Sequence, residues 1–389
     1  MQGVPRPFDA HDSTMLRPLA SRWPYRGSAV LAFSLALGAC GNGSESVATG
    51  ASTPSSSPGT SATTTLRASV SKLALSVTGL TEYGVAGTPA SGRARIVTIT
   101  NTGSAAATGL AIAVPALPSG TVESGSCGST LAAGSTCTLT VTPGATASGG
   151  VGPCTTGTAP TPATISVGGS NTNTVSVDVV VLGYGCIYQG GYVYALDDTT
   201  PSTGSVGGKV LSQFDEASAL VWSTRFDAIY GISETSTAAL PSPSVGAVAG
   251  QSSCDGATDG ACDSANIVDY YTSYAIGAPI ALPDYAAGVC EATIASESDW
   301  HLPAICEMGY GGAGCGTSAS PTEQNVQSDL VDSGGAVPLN GNYWSSTEAS
   351  FAPANGAWVQ SFMPGGDSTE ELATKGLALA VRCTRALTP

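Results

Sequence analysis

Near its C-terminus the chain reads NYWSSTE (342–348), two aromatics followed by three hydroxyl side chains and a carboxylate. Hydroxyls beside a carboxylate are the material of nucleophilic catalysis, and a serine nucleophile needs a base such as histidine. The chain holds two histidines, His11 and His301. His301 follows Trp300 within DWHLP (299–303), and no G-x-S-x-G elbow surrounds any serine, so a structural or surface histidine is expected and no catalytic residue is assigned. On a strand, Tyr343, Ser345 and Thr347 share one face, while Trp344, Ser346 and Glu348 share the other. A tryptophan flanked by small hydroxyls fits a close-packed sheet whose hydroxyls bond nearby backbone, and Trp358 and Trp300 read the same way. The competing role for Trp300, His301, Tyr343, Trp344, Glu348 and Trp358 is contact with a ligand. Arg382 and Arg385 are expected to pair with acidic neighbours such as Asp299 or Glu307.

A second group is Asp255, Asp259 and Asp263, in the Gly-containing stretch CDGATDGACD (254–263). Hard cations such as Ca²⁺ prefer oxygen ligands of this kind. The spacing is not that of an EF-hand, so a solvated loop is the main expectation, with Ca²⁺ as the alternative. No other cofactor is expected.

The elements that must position these residues follow from composition and pattern. The chain has 389 residues, enough for two ordinary domains with extensions. Charged residues make up 11%, against about 25% in ordinary globular domains, and 50 glycines favour β-structure with tight turns over helical bundles. A formal charge of −15 leaves no basic surface for phosphates and argues against a nucleic-acid partner.

Arg17, Arg22 and Arg26 precede an apolar run from Ala29 to Ala39, which ends in Leu37-Gly38-Ala39-Cys40. The run has the length of a signal h-region and is too short for an ordinary spanning helix. It resembles a bacterial lipobox, which implies cleavage after residue 39 and lipidation of Cys40, for example with palmitate; a Sec signal with an incidental cysteine is the alternative. Met15 would then serve as the start of the signal. Gly41 resembles the outer-membrane sorting class, so the expected location is the bacterial cell envelope, lipid-anchored, facing the periplasm or the exterior. Residues 1–39 contain Arg6, Arg17, Arg22 and Arg26 of the 13 basic residues, and Asp9 and Asp12 of the 28 acidic ones, so their loss takes the formal charge from −15 to −17. After Cys40, residues 41–65 form a Ser/Thr/Gly/Pro tether with almost nothing to bury, expected to be disordered.

Exclusion of Cys40 leaves ten of the 11 cysteines, an even number that suits disulfides in an exported protein. Cys127 and Cys137 flank a turn, and Cys254 and Cys262 enclose a short loop. Cys290 and Cys383 would tie the ends of the C-terminal region together. Cys306 with Cys315, and Cys154 with Cys186, follow by proximity. A zinc site is the weaker reading, because no C-x-x-C occurs.

From Leu66 the chain shows short strand signals: SKLALSV, RIVTITNTGS, GLAIAV, CTLTVTP, ATISV and TVSVDVVVL. The phrase TITNTGSAAATGLAI…CGSTLAAGSTCTLTVTP resembles bacterial Ig-like domains of the ASPM–SPD-2–Hydin kind, which implies a β-sandwich over 66–182 acting as a spacer or binding module. From Cys186 the β-branched repeats stop. GGYVYALDD, GGKVLS and ALVWS read as strands, 254–271 as a loop leading into a possible helix, LPDYAAGVCEATIA (282–295) as the clearest helix, and DWHLPAICEMGY as a turn and short helix with Pro303 in its first turn. NYWSSTEAS, GAWVQSFMPGG and ALAVRCTR return to the sheet. In order, these pieces resemble the DUF1566 family, which includes the C-terminal domain of the Legionella collagen-like adhesin (Lcl), with DWxLP and YWSS as its most specific pair. The resemblance departs from the family pattern at His301 and Cys306, and no collagen-like run is present. It implies an α+β, C-type-lectin-like domain over 186–389, without a calcium-lectin sugar motif. The function implied is non-catalytic adhesion or binding in the envelope, with a surface glycan or an extracellular or matrix protein as partner. The alternatives are an enzyme acting on envelope polymers and a purely structural lipoprotein.

Overall fold

A computed structural model describes residues 64–80, 91–149, 154, 159–199, 206–238, 247–274, 277–334, 337–363 and 368–388. The signal segment, Cys40 and the tether up to residue 63 lie outside them. The described residues belong to one compact unit spanning 60–389. The protein is mainly β, with several sheets and five disulfides. Among the described residues no helix is long and apolar enough to cross a membrane.

The first ten strands are β1 (Leu66–Ala68), β2 (Lys72–Ser76), β3 (Arg95–Asn101), β4 (Ala107–Thr108), β5 (Ala111–Ala113), β6 (Val122–Gly125), β7 (Thr130–Leu131), β8 (Thr136–Thr142), β9 (Ala163–Gly168) and β10 (Val175–Leu182). They form two four-stranded sheets, ordered β1-β3-β8-β6 and β2-β10-β9-β5, and a β4–β7 ladder. Alternation sets the inward faces: Val97 and Ile99 of β3 with Leu139 and Val141 of β8 on one sheet, Ile165, Val167, Val177 and Val179 on the other, all in one apolar cluster. β2 runs parallel to β10, with Leu73 opposite Val179. From Val179 to Leu182 every residue is buried, as is Leu73–Ser76, so these two strands lose their solvent face where they approach the second half of the chain.

The turn at Asn101 accounts for the N-x-G and LAAG phrases together. Asn101 is fully buried; its Oδ1 accepts from Gly103 N (3.0 Å), and its Nδ2 donates to Ala105 O (2.8 Å) and Leu131 O (3.0 Å). Its carbonyl accepts from Gly134 N (2.8 Å). One side chain therefore fastens the 101–105 turn to the 131–134 turn.

The remaining strands are β11 (Ile187–Tyr188), β12 (Gly191–Asp197), β13 (Gly207–Ser212), β14 (Ala217–Val221), β15 (Gly316–Thr317), β16 (Ser320–Pro321), β17 (Gly341–Glu348), β18 (Gly356–Phe362), β19 (Thr369–Thr374), β20 (Ala378–Val381) and β21 (Thr384–Ala386). They make a sheet ordered β11-β12-β13-β21, a five-stranded sheet ordered β14-β20-β17-β18-β19, and a β15–β16 ladder. Among the described residues no sheet mixes strands of the first ten with the last eleven. Cys383 stands between β20 and β21, where the chain passes from one sheet to the other, and its N and O both bond Ser212.

The helices are α1 (Gly260–Thr272), α2 (Ala286–Cys290) and α3 (Ile305–Met308). The helix expected over 282–295 is corrected to a 3₁₀ turn over Leu282–Asp284, the short α2, and a tight turn. In that turn Ile294 and Glu297 exchange backbone hydrogen bonds, with Ala295 (φ 51°) and Ser296 (φ 74°) left-handed at its tip. Of Ala286, Val289, Cys290 and Ile294, whose near-helical spacing suggests one helix, the first three lie in α2 and Ile294 in the turn beyond it. Pro303 precedes the N-cap Ala304 of α3 and does not lie in its first turn. Residues 327–332 wind as a π-helix, which no sequence signal announced.

The five disulfides join Cys127–Cys137, Cys154–Cys186, Cys254–Cys262, Cys290–Cys383 and Cys306–Cys315. The pairs are those that spacing and proximity suggest.

Candidate functional site

The strongest concentration of titratable groups lies beneath the DWHLP turn. β12 and β13 place Lys209 there through an irregularity between Val193 and Ala195. Gly208 stands beside it at φ 131°, and a Cβ on it would come within 2.0 Å of Ala195 O, so only glycine fits. Lys209 Nζ donates to Glu307 Oε1 (2.5 Å) and to Glu323 Oε2 (3.4 Å). Glu307, on α3, also accepts from Ala304 N through Oε2 (2.8 Å), and Gly260 at the start of α1 abuts the same oxygen. Burial works against the Lys209 ammonium, but the carboxylate of Glu307 outweighs it and holds the amine protonated, above its usual range. Burial pushes Glu323 up to about 8 against the pull of Lys209.

Tyr194 adjoins this centre and bonds Thr384 Oγ1 (2.8 Å). Burial, then the Glu307 charge, raise its phenol well above the ordinary range. His301 exchanges backbone hydrogen bonds with Thr384 (2.8 Å each way), and burial lowers its pKa, so the ring is held neutral. Asp263, fully buried on α1, accepts from Ser346 Oγ (2.9 Å), and burial raises its carboxyl. Within the centre Asp263 Oδ1 and Glu323 Oε1 are buried without a hydrogen-bond partner among the described residues, while Lys209 and Glu323 keep 29% and 22% of their side chains exposed.

The three aspartates proposed for Ca²⁺ are not brought together. Asp255 Oδ1 accepts from Ala238 N (2.5 Å), Asp259 caps α1 by accepting from Cys262 N (3.0 Å), and Asp263 turns inward to Ser346. Among the described residues no group of three or more His, Cys, Asp or Glu side chains is arranged to hold a metal.

Of the proposed ligand contacts, Trp300, Tyr343, Trp344 and Glu348 are buried, and this corrects their candidacy as a surface. Trp344 Nε1 donates to Leu220 O (2.8 Å) and Trp300 Nε1 to Ile294 O (3.0 Å). Residues 343–349 are all buried, and the hydroxyls bond backbone or buried acids: Ser345 Oγ to Trp358 O (2.7 Å), Thr347 Oγ1 to Gly256 O (2.6 Å). His301 and Trp358 keep partial exposure. Trp358 lies against Gly312, whose N–H donates to Glu370 Oε2 (2.7 Å). Arg385 forks onto Asp299 (2.5 and 3.0 Å) as expected and lowers that carboxyl. Arg382 pairs with Asp215 (2.6 Å) and with neither Asp299 nor Glu307, because it projects from the crossing between β20 and β21 onto the Ser212 carbonyl beside Asp215.

A second charged centre was missed. Lys375, in the turn after β19, meets Glu348 at the end of β17 with Nζ–Oε1 2.5 Å, both side chains fully buried. Sequence held one signal for both centres: the chain has only three lysines, Lys72, Lys209 and Lys375, and Lys209 stands inside an otherwise apolar strand.

No family model matches the chain, and no curated protein matches it. Among solved structures, the secreted serine protease VesC from Vibrio cholerae aligns with a TM-score of 0.20 and 12% identity, over 44% of this chain and 39% of that one. A superposition that loose carries no argument about fold or activity.

Proposed function

We propose that the chain is an exported envelope protein, tethered through Cys40, whose disulfide-stapled C-terminal half is a non-catalytic binding head carried on the strands of 66–182. The supporting observation is the cysteine arithmetic: five disulfides use ten of 11 cysteines, and the one left over is the lipobox cysteine. A chain that oxidises ten thiols in pairs belongs to an oxidising compartment. The ion pairs Lys209–Glu307, Lys375–Glu348 and Arg385–Asp299 tie separate elements of the head together, which suits a fixed scaffold. In this reading the Ig-like and lectin-like resemblances describe spacer and head, and the head's partner is a surface glycan or an extracellular protein.

Labelling of the exported chain with a fatty acid, followed by membrane fractionation of wild type and Cys40→Ser, tests the anchor. Label in the wild type alone, with the variant released from the membrane, is the expected result. An unlabelled chain with ten free thiols in the cytosol would end the proposal. Arrays of glycans and matrix proteins probed with the full chain test the head, and turnover of an envelope polymer would replace binding by catalysis.

A further inference from the structure

The Lys375–Glu348 contact has features that an ordinary ion pair does not require. Neither side chain has any exposure. The Trp222 indole face covers the amine, with Nζ 4.1 Å from the ring centroid. Nζ donates to the backbone carbonyl of Asp227 (2.6 Å) as well as to Glu348 Oε1. Both Glu348 oxygens accept from Ile229 N (3.1 Å each). The Asp227 carboxylate faces Arg225 at 2.7 Å and makes no direct contact with the pair.

Two opposite charges in a dry site are held at a desolvation cost that mutual attraction only partly offsets. One escape is transfer of a proton from ammonium to carboxylate along the short hydrogen bond. Burial acts in that sense on both partners, pushing Glu348 up to about 7 and Lys375 down. The result is a neutral amine beside a neutral carboxylic acid, with water excluded and a backbone N–H already aimed at the carboxyl oxygens. That N–H is placed as an oxyanion donor would be for attack at the carboxyl carbon.

We propose that Lys375 and Glu348 condense to an intramolecular isopeptide bond. The Nζ lone pair attacks Glu348 Cδ, and the Ile229 N–H supports the oxygen that takes up charge. A proton moves from nitrogen to the hydroxyl, one C–O bond breaks, and one water leaves. No oxidant or other reactant is consumed. The amide that remains has one N–H and one carbonyl oxygen. The site supplies one acceptor for the first, Asp227 O, and one donor for the second, Ile229 N. The bond closes a loop that contains β18 and β19, the free-edge side of the five-stranded sheet. That edge is otherwise held by its hydrogen-bond ladders and by the packing of Ala357, Val359 and Phe362, with no covalent link among the described residues.

Lys209 is the internal contrast. It touches two carboxylates and is partly exposed, and the Glu307 carboxylate keeps it protonated. An ammonium is no nucleophile, so one condensation is expected and not two.

The test is peptide mapping of the full-length chain after reduction and alkylation. Trypsin should skip Lys375, a glutamate-specific protease should skip Glu348, and the branched peptide that joins the two residues should be lighter by one water. Lys375→Met, which keeps the apolar stem and removes the amine, should restore cleavage after Glu348. Normal cleavage at Lys375 with an unchanged mass would overturn the proposal. A water loss that maps to Asp255-Gly256, where a succinimide gives the same mass change, would overturn it equally. The outcome does not depend on whether the chain is an adhesin.

Discussion

Arg95 of β3 and Asp198, just after β12, form an ion pair with 1% and 0% of their side chains exposed. It joins the strands of the first half to the start of the second. Asp198 is further fixed by Ser76 Oγ (2.9 Å) and Arg93 N (2.8 Å), and the Cys154–Cys186 disulfide spans the same junction. Removal of one partner strands a buried charge, which costs about 3–5 kcal/mol, whereas replacement of both by apolar residues of similar volume is often neutral. Asp198→Ala should therefore lower the unfolding free energy by about 3–5 kcal/mol, and Arg95→Met with Asp198→Leu should recover most of it. Urea unfolding of the three proteins measures this. A single substitution as stable as wild type would show that the junction tolerates a lone guanidinium.

The disulfides differ in the length of chain they close. Cys290–Cys383 has a sequence separation of 93, and Cys254–Cys262 a separation of 8. Chain-entropy reasoning assigns about 4–5 kcal/mol to the first and about 2–3 kcal/mol to the second. Paired Cys→Ala variants should follow that order in midpoint of denaturation. The reverse order would place the stabilisation in the native state and not in the unfolded chain.

What the sequence made legible is what local spacing encodes. Short strand signals located β3, β8, β9 and β10, and cysteine spacing and proximity suggested all five pairs. The burial of YWSSTE (343–348) followed from a tryptophan set among small hydroxyls. Long-range charge pairing was legible at Arg385–Asp299 and not elsewhere. Lys375 stands in a glycine turn with nothing nearby in sequence to mark it, and Glu348 lies 27 residues away. Arg95 and Asp198 are 103 apart. The expected helix over 282–295 failed because Cys290 and Ile294 meet helical spacing by coincidence, with α2 ending at Cys290 and a turn beyond it whose left-handed residues, Ala295 and Ser296, carry no glycine to announce it. The aspartates at 255, 259 and 263 looked like a ligand set because sequence distance is blind to direction, and α1 starts between the first and the last.

Asn101 offers a sharper test of the first half. Its amide makes four contacts to backbone of two turns while fully buried. Asn101→Ala leaves those groups unpaired, at about 1–3 kcal/mol each before any relaxation. A loss of at least 2 kcal/mol, about twice a typical single hydrogen bond, is expected in thermal unfolding. Asn101→Asp should be worse, because the carboxylate presents acceptors to Ala105 O and Leu131 O where donors are needed. An aspartate variant as stable as wild type would mean that water reaches this turn.

Stability should fall as pH rises from 5 to 9. Burial pushes Glu323, Asp329 and Glu370 each up to about 8 in the folded chain. In the unfolded chain they titrate near 4, so the unfolded state releases their protons first. For a carboxyl raised on folding, the favourable contribution is complete below the unfolded pKa and is lost as pH rises toward the folded value. His301 acts in the opposite sense and over an overlapping window: its pKa is lowered by burial, so stability declines as pH falls below about 6.5, the unfolded value. At about pH 5–6 the three carboxyls outweigh the single histidine, so the maximum lies at or below about pH 5, under the usual neutral optimum. Melting temperatures at pH 5, 7 and 9 should decrease in that order, and Glu323→Gln, which keeps the shape and removes the titration, should flatten the slope. A melting temperature that climbs from pH 5 to pH 9 would mean that these carboxyls are ionised in the native state and stabilised by partners other than those described.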